Sequence, residues 1–387
     1  MANPTLGVIR SQTSGPRLPR VVLDLEKLRH INCGLGRFCK HLADGILTAA
    51  PLSIQPIFFM PSETVRYLKE GGVEQIEVSP WRKEMFSQLI RPLLQPFQRD
   101  QRYDLWHTTN QMSKYLPLDA RVPVVLTIHD LNFLHDTSHK ARSHAVARKK
   151  AEVQKKIDRA AAIVTDSTYV AEDVKEHLNV GRCPIYTVPL GLAARPTASG
   201  VGPARVPRRP FWLTVGNALA HKNIHVLFDL MECMPDACLV VAGKKATPYG
   251  AFMESQIQKK GLADRVILLG EVSDDHRQWL YENCTGFLFP SLTEGFGFPV
   301  LEAMQCGKPV FMSRCTSLPE IGGDLGFYWE SYDPAHMLAV LENGMKRVGQ
   351  ESGYAAQLQA HADSFSWAKT AQGYVRVYET VLSKRAA

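Results

Sequence analysis

Phe289-Pro290-Ser291-Leu292-Thr293-Glu294-Gly295-Phe296-Gly297-Phe298-Pro299-Val300-Leu301-Glu302-Ala303-Met304 reads as the end of a strand, a glycine loop and the start of a helix. The apolar run 286–289 predicts a buried strand. Pro299 suits a first helical position, where the N–H that proline lacks has no intrahelical acceptor. Gly307 is a natural helix stop. Loop amides and a helix N-terminus then aim unpaired N–H groups and partial positive charge at one edge, which makes a site for a diphosphate. Gly295 and Gly297 let the backbone approach a ligand closely. Glu294 and Glu302 bracket the loop with seven residues between them. One precedes the helix and the other lies in its first turns, so both can face one pocket. Carboxylates repel phosphate and accept hydrogen bonds from hydroxyls, so sugar hydroxyls are their expected partners.

Outward from this unit, strands and helices alternate. Apolar runs at 21–25, 54–60, 122–128 and 160–164 predict buried strands, and Asp104-Leu105-Trp106-His107 ends another. Cys33-Gly34-Leu35-Gly36 reads as a glycine loop, followed by a helix whose apolar positions Phe38, Leu42 and Ile46 repeat every four residues. Residues 1–19 are rich in Pro, Gly, Ser and Arg and read as a flexible lead-in. Residues 193–210 open on a Pro/Gly/Ala-rich run with few large apolar residues, the best linker candidate. After it the rhythm restarts, with strands at 211–215, 238–242, 266–269 and 286–289. The fold class is therefore α/β, with two Rossmann-like halves joined by a hinge. Ligands of such sheets sit beyond the carboxyl ends of the strands, so facing halves put the ligand in the cleft between them.

The Glu294–Met304 segment resembles the E-x7-E signature of the family 4 retaining glycosyltransferases, whose fold is GT-B. The likeness extends over nearly the whole chain, from about 21 to 380, through Val164-Thr165-Asp166-Ser167, Leu239–Lys244, Leu269–Asp274 and Ser317-Leu318-Pro319-Glu320. It implies an N-terminal acceptor-side domain at 1–195, a linker at 196–210 and a nucleotide-sugar-binding domain at 211–365. A C-terminal helix at about 366–387 is expected to pack back onto the first domain. Carried over residue by residue, Glu294 holds the hydroxyls of the transferred sugar and Glu302 the nucleotide ribose. Amides near Phe296, Gly297 and Phe298 line the sugar and diphosphate.

The second half opens with Phe211-Trp212-Leu213-Thr214-Val215-Gly216-Asn217-Ala218-Leu219-Ala220-His221-Lys222-Asn223, a strand, a glycine turn and a helix start. Lys222 there can neutralise charge on a leaving diphosphate. The segment resembles the family's glycine-to-lysine stretch. It departs where several members carry an arginine, since this chain has Asn217 and His221. The cationic role therefore falls on Lys222, with Asn217 as a donor-site residue. Thr127-Ile128-His129-Asp130 ends a strand and resembles the family's TxHD strand end, which implies that His129 reaches the donor sugar or phosphate. Asp130 either orients that ring or caps the next segment. Gly36, in Gly34-Leu35-Gly36-Arg37-Phe38, matches the glycine loop that faces donor phosphates and acceptor. A nicotinamide fingerprint needs a third glycine where this chain has Cys39.

The resemblance implies front-face transfer with retention of anomeric configuration. The departing phosphate takes the acceptor's proton, so no protein base is required. No Asp-x-Asp motif is well placed, so no essential metal, metal ligand or further cofactor is expected. The donor leans toward a GDP- or UDP-linked hexose of mannose or glucose type. A glycan or lipid-linked acceptor in surface polysaccharide or lipopolysaccharide synthesis fits. Two alternatives share the same motif: a non-catalytic sugar-nucleotide-binding subunit, and a GT-B sugar-nucleotide epimerase.

Composition bounds the rest. At 387 residues, 45% hydrophobic and 21% charged, the chain suits about two soluble domains. Its eight cysteines form no CxxC pair, which indicates neither a cysteine zinc site nor a disulfide framework and fits a reducing cytoplasm. The first twenty residues lack the apolar core of a signal peptide, and no run of about 18 apolar residues exists to span a membrane. The net charge of +7 is compatible with sugar nucleotides, lipid phosphates or a membrane surface. The basic stretch 140–159 is either a surface helix that meets anionic lipid at the inner face of the membrane or a solvated charged face. No aromatic platform accompanies the charge, which disfavours nucleic acid.

Overall fold

The computed structural model describes residues 17–31, 33–49, 53–69, 73–78, 103–117, 119–135, 143–196 and 200–386. Most of the lead-in, residues 197–199 of the linker, and Lys140 and Arg142 of the basic stretch lie outside the described residues.

The first half is one parallel sheet of β1 (Arg20–Asp24), β2 (Gln55–Met60), β3 (Glu74–Glu77), β4 (Leu105–Thr108), β5 (Val124–Ile128), β6 (Ala160–Thr165) and β7 (Ile185–Thr187). Its spatial order is β3-β2-β1-β4-β5-β6-β7. The order reverses at β1, which opens a crevice at the carboxyl ends of β1 and β4. Their connecting helices are α1 (Gly34–Ala49), α2 (Asn132–His135), α3 (Ser143–Arg159) and α4 (Thr168–His177). Phe38, Leu42 and Ile46 of α1 are buried, as their four-residue spacing predicts. The central strands are buried along their length, the pattern of a sheet covered on both faces.

The second half repeats the plan with β8 (Phe211–Val215), β9 (Cys238–Ala242), β10 (Val266–Gly270), β11 (Gly286–Phe289), β12 (Val310–Ser313) and β13 (Phe327–Trp329). These lie in the order β10-β9-β8-β11-β12-β13, again all parallel. Helices α5 (Val226–Glu232), α6 (Pro248–Lys259), α7 (Asp274–Asn283), α8 (Phe298–Gln305), α9 (Leu318–Gly322), α10 (Pro334–Gln350) and α11 (Tyr354–Asp363) accompany it. α12 (Trp367–Ala386) returns to the first half. Its Trp367 and Tyr374 rings flank Phe38, both at 6.1 Å. Tyr378 Oη contacts His107 Nδ1 at 2.7 Å, and His107 Nε2 contacts Thr127 Oγ1 at 2.8 Å. Burial pushes His107 down to about 3, so it is a neutral core histidine with both ring nitrogens engaged. No helix among the described residues is long and apolar enough to cross a membrane.

Two details differ from the sequence expectation. The predicted glycine loop 33–36 is already helical from Gly34, so Gly36 lies in the first turn of α1. A Cβ on Gly36 would come within 2.2 Å of the His30 carbonyl, so close backbone packing requires glycine there. Strands β3, β7, β12 and β13 were not expected. β3 is a polar edge strand, Glu-Gln-Ile-Glu, and β7 and β13 have three residues each, too short for a periodic signal.

Asp24, the last residue of β1, is buried with its carboxyl bonded to Ser113 Oγ and accepting the Glu26 amide at 3.1 Å. Burial raises its pKa to about 7. The folded state therefore binds a proton that the unfolded state releases above about pH 4, and stability falls as pH rises from about 4 to 7. Asp24→Asn mimics the protonated acid and keeps both contacts. It is expected to raise stability at pH 8 by on the order of a few kcal/mol at most, seen as a higher Tm, and to leave Tm unchanged at pH 4. Thermal melts at the two pH values check this, and an equal effect at both would refute it.

Candidate active site

The loop between β11 and α8 is built by its neighbours. Ser317 Oγ lies 3.0 Å from the Glu294 carbonyl and 2.8 Å from the Phe296 carbonyl and donates to them. The Glu294 amide donates to Thr316 Oγ1 at 3.1 Å. Gly297 caps α8 at φ 122°, a backbone region that favours glycine, and Pro299 sits in the first turn. Phe296 is buried and its ring packs 5.2 Å from Phe298. These contacts present the α8 amides toward the carboxyl edge of the sheet.

Glu294 meets Lys222 there. Lys222 Nζ is 2.5 Å from Glu294 Oε1, and both side chains keep a small solvent-exposed fraction. Lys222 ends the turn Ala220–Lys222 after β8, passes over Gly216, and holds its ammonium 5.4 Å from the Phe289 ring centre. Asn217 Oδ1 accepts the Lys244 amide at 3.2 Å, which ties the β8 turn to the β9 turn. Glu302 projects from α8 to other partners. Tyr281 Oη donates to Glu302 Oε2 at 2.8 Å, and Arg277 Nε is 3.9 Å from the same oxygen. Tyr281 is buried, which holds its hydroxyl well above its ordinary pKa and keeps it a proton donor. Burial alone would lower Arg277, but Glu302 and Asp274 raise it.

The first half closes against this loop. A Cβ on Gly295 would lie 2.2 Å from the His129 carbonyl, so only glycine lets the halves approach so closely. Ser167 Oγ donates to the Gly295 carbonyl at 3.0 Å while capping α4 by accepting the Val170 amide at 3.2 Å. Glu320 of α9 accepts the Thr168 and Tyr169 amides at 2.8 and 2.6 Å, so a carboxylate of one half caps a helix of the other. Arg37 of α1 reaches Asp274 of α7 at 3.2 Å.

His129 is at the cleft through its backbone, while its ring turns inward. Nδ1 lies 2.6 Å from Asp166 Oδ2 and Nε2 lies 2.9 Å from the Thr109 carbonyl, with the Phe38 ring edge-on at 4.6 Å. Both ring nitrogens are engaged, Nε2 by a carbonyl that can only accept and Nδ1 by the Asp166 carboxyl, which burial raises above its ordinary pKa. Burial alone would lower His129, but the charge and hydrogen bond of Asp166 hold it above the usual imidazole value. Asp166, not Asp130, orients the ring. Asp130 caps the next segment by accepting the Asn132 amide at 3.0 Å. Asp166, Tyr281, Arg277 and Glu320 are the site residues that sequence reasoning did not assign. Asp166 and Glu320 stood in family-like fragments, but nothing in those fragments names the partner across the fold.

Comparison with known proteins agrees with this architecture. The family model "Glycosyltransferase Family 4" matches residues 34–194, and "Glycosyl transferases group 1" matches residues 203–343. The chain is 33% identical over 177 residues to the O-antigen chain mannosyltransferase B of Escherichia coli, which covers 43% of this chain and 45% of that enzyme. It is 26% identical over 305 residues to the D-inositol 3-phosphate glycosyltransferase of Mycolicibacterium gilvum, covering 74% and 68%. The match thus spans less than half the length of the O-antigen enzyme. In fold, the chain is similar to Anabaena HepE in complex with UDP and glucose, with a TM-score of 0.66, 18% identity and coverage of 94% and 100%. Sucrose-phosphate synthase from Thermosynechococcus elongatus gives 0.66, 17%, 95% and 100%. Two facing Rossmann-like sheets and a family match on each half identify the chain as a member of the family 4 glycosyltransferases, with the GT-B fold.

Proposed function

We propose that the chain transfers a hexose, of mannose or glucose type, from a GDP- or UDP-linked donor to a glycan or lipid-linked acceptor with retention. The observation that carries this is the Lys222–Glu294 pair at the N-terminus of α8, beside the contact of the two halves. A cation, a carboxylate and a helix N-terminus in one place answer the three parts of a sugar nucleotide. The α8 amides and Lys222 receive the diphosphate, which draws Lys222 from Glu294. Glu294 then accepts hydrogen bonds from the sugar hydroxyls. Glu302, steadied by Tyr281, offers its other oxygen to the ribose. Gly36 and the start of α1 face the donor phosphates from the first half, and Asn217 shapes the turn that carries Lys222. His129, held by Asp166 and the Thr109 carbonyl, supports the closed arrangement behind Gly295 and adds positive charge there when protonated.

In the transfer step the bond from C1 to the phosphate oxygen breaks, and its electron pair goes to the phosphate. The acceptor hydroxyl bonds to C1 from the same face, and its proton passes to the departing phosphate oxygen. Lys222 and the helix dipole stabilise the charge that builds there. No metal is assigned to this step. The named mannosyltransferase relatives support a mannose-type donor and an O-antigen or lipopolysaccharide setting. The basic, exposed face of α3, with Arg148, Lys149 and Lys150, supports a place at an anionic membrane surface.

Purified chain assayed with a panel of GDP- and UDP-hexoses and glycan acceptors tests the reading. One donor is expected to give acceptor-dependent product with the donor's own anomeric configuration. Donor turnover without acceptor dependence, or an inverted product, refutes it. In the same assay Glu302→Ala is expected to weaken nucleotide affinity by roughly 10-fold while changing kcat little, the cost of about one charge-assisted hydrogen bond.

A further inference from the structure

Away from the cleft, α2 and α4 bring two imidazoles onto one carboxylate. His135 Nε2, at the end of α2, lies 2.9 and 3.0 Å from the two Asp173 carboxylate oxygens. His177, one turn beyond Asp173 on α4, puts Nδ1 3.1 Å from Asp173 Oδ1 and 3.0 Å from the Asp173 carbonyl. One ligand atom from each residue falls within 4.8 Å of the others. Asp173 is only 4% exposed in its side chain, while the two histidines are 25% and 31% exposed.

We propose that His135, Asp173 and His177 form a binding site for a divalent transition-metal ion of the zinc class, distinct from the sugar-transfer site. Bonds of about 2.0–2.1 Å to nitrogen and oxygen give a zinc tetrahedron edges of roughly 3.3 Å. The His135–Asp173 separations are already close to that edge, and the partly exposed His177 ring has room to adjust. Two neutral imidazoles and a carboxylate suit zinc, whereas magnesium and calcium prefer oxygen ligands. The carbonyl at Asp173 can only accept, so Nδ1 of His177 donates to it. On metal binding the ring turns so that Nδ1, the nitrogen beside Asp173 Oδ1, gives up that proton and becomes the ligand. The open side carries the fourth ligand, water. The ion clamps the end of α2 to the end of α4, on the side of the first half that also carries the basic helix α3.

Full-length chain stripped with a chelator and kept reduced is titrated with ZnCl₂ by calorimetry, with MgCl₂ as the control. One equivalent of zinc is expected to bind and raise the unfolding temperature by about 2–4 °C, with no response to magnesium. His135→Gln and His177→Gln each weaken that equivalent by at least about 10-fold. Both histidines are partly exposed, so the melts of the two variants in chelator are expected to match the parent. Co²⁺ loaded in place of zinc is expected to show visible bands without the strong near-ultraviolet charge transfer of thiolate ligation, which separates this site from the free cysteines. The proposal is overturned if zinc binds equally to parent and both variants, if the cobalt form reports thiolate ligands, or if the parent takes up no zinc. A variant that melts differently in chelator is replaced by the other, whose unchanged zinc affinity would equally overturn the site.

Discussion

Glu294→Ala is expected to lower kcat for sugar transfer by roughly 10²–10³-fold, the cost of removing one preorganised polar group from a charge-building site. The fold should survive. The loop that carries Glu294 is held by backbone groups, through Ser317, Thr316 and Ser167, and none of those contacts uses the carboxylate. The substitution does leave Lys222 without its partner, but that side chain is 16% exposed and its ammonium can turn to water. Its loss should therefore cost stability about what a partly exposed ion pair contributes, roughly 1 kcal/mol. Steady-state kinetics beside a thermal melt separates the two effects. Near-normal turnover would remove Glu294 from the donor site, and a collapsed melt would make its role structural. Glu294→Gln adds a second readout. It retains hydrogen-bonding capacity but loses charge, so recovery of part of kcat would assign hydroxyl binding, and none would assign an electrostatic role.

Lys222→Ala is expected to be at least as damaging, with a loss of kcat on the order of 10²–10³-fold and weaker donor binding. Two terms combine. The ammonium that stabilises the leaving diphosphate is gone, and Glu294 is left as an unpaired carboxylate 13% exposed beside an incoming polyanion. Like charge then opposes donor binding, which Glu294→Ala does not produce. The pair consequently predicts non-additivity. In the double variant the repulsion disappears, so donor affinity should recover relative to Lys222→Ala although kcat stays low. Purely additive losses in the double-mutant cycle would mean that the two side chains act independently and that their 2.5 Å contact has no part in donor binding.

Much of the architecture was legible in the chain because local patterns encode it. Phe38, Leu42 and Ile46 carry the buried stripe of α1 at four-residue spacing, and the apolar runs at 211–215, 238–242 and 286–289 coincide with strands. The start of α8 was readable from Pro299, and Gly307 adopts φ 68° just beyond its end. The short strands at 185–187 and 327–329 were not readable, because three residues hold no period and their strand state comes from pairing with a neighbour. The glycines at 34 and 36 misled for a related reason. Glycine reports only that the backbone is free to adopt a loop, whereas at Gly36 the absence of a side chain serves the close packing of a helix on the His30 carbonyl.

What the sequence alone determined is the repeated βα plan, the glycine-bracketed loop with Glu294 and Glu302, and Lys222 at the start of the second half, all properties of residues near one another along the chain. Tertiary structure alone decided the pairings: Lys222 with Glu294 across 72 positions, His129 with Asp166 across 37, and Glu320 on the α4 amides across 152. It also decided that His135 meets Asp173 and His177. The physical reason is that side-chain charges select partners by distance in space, and that distance is set only when the two sheets and their helices have packed.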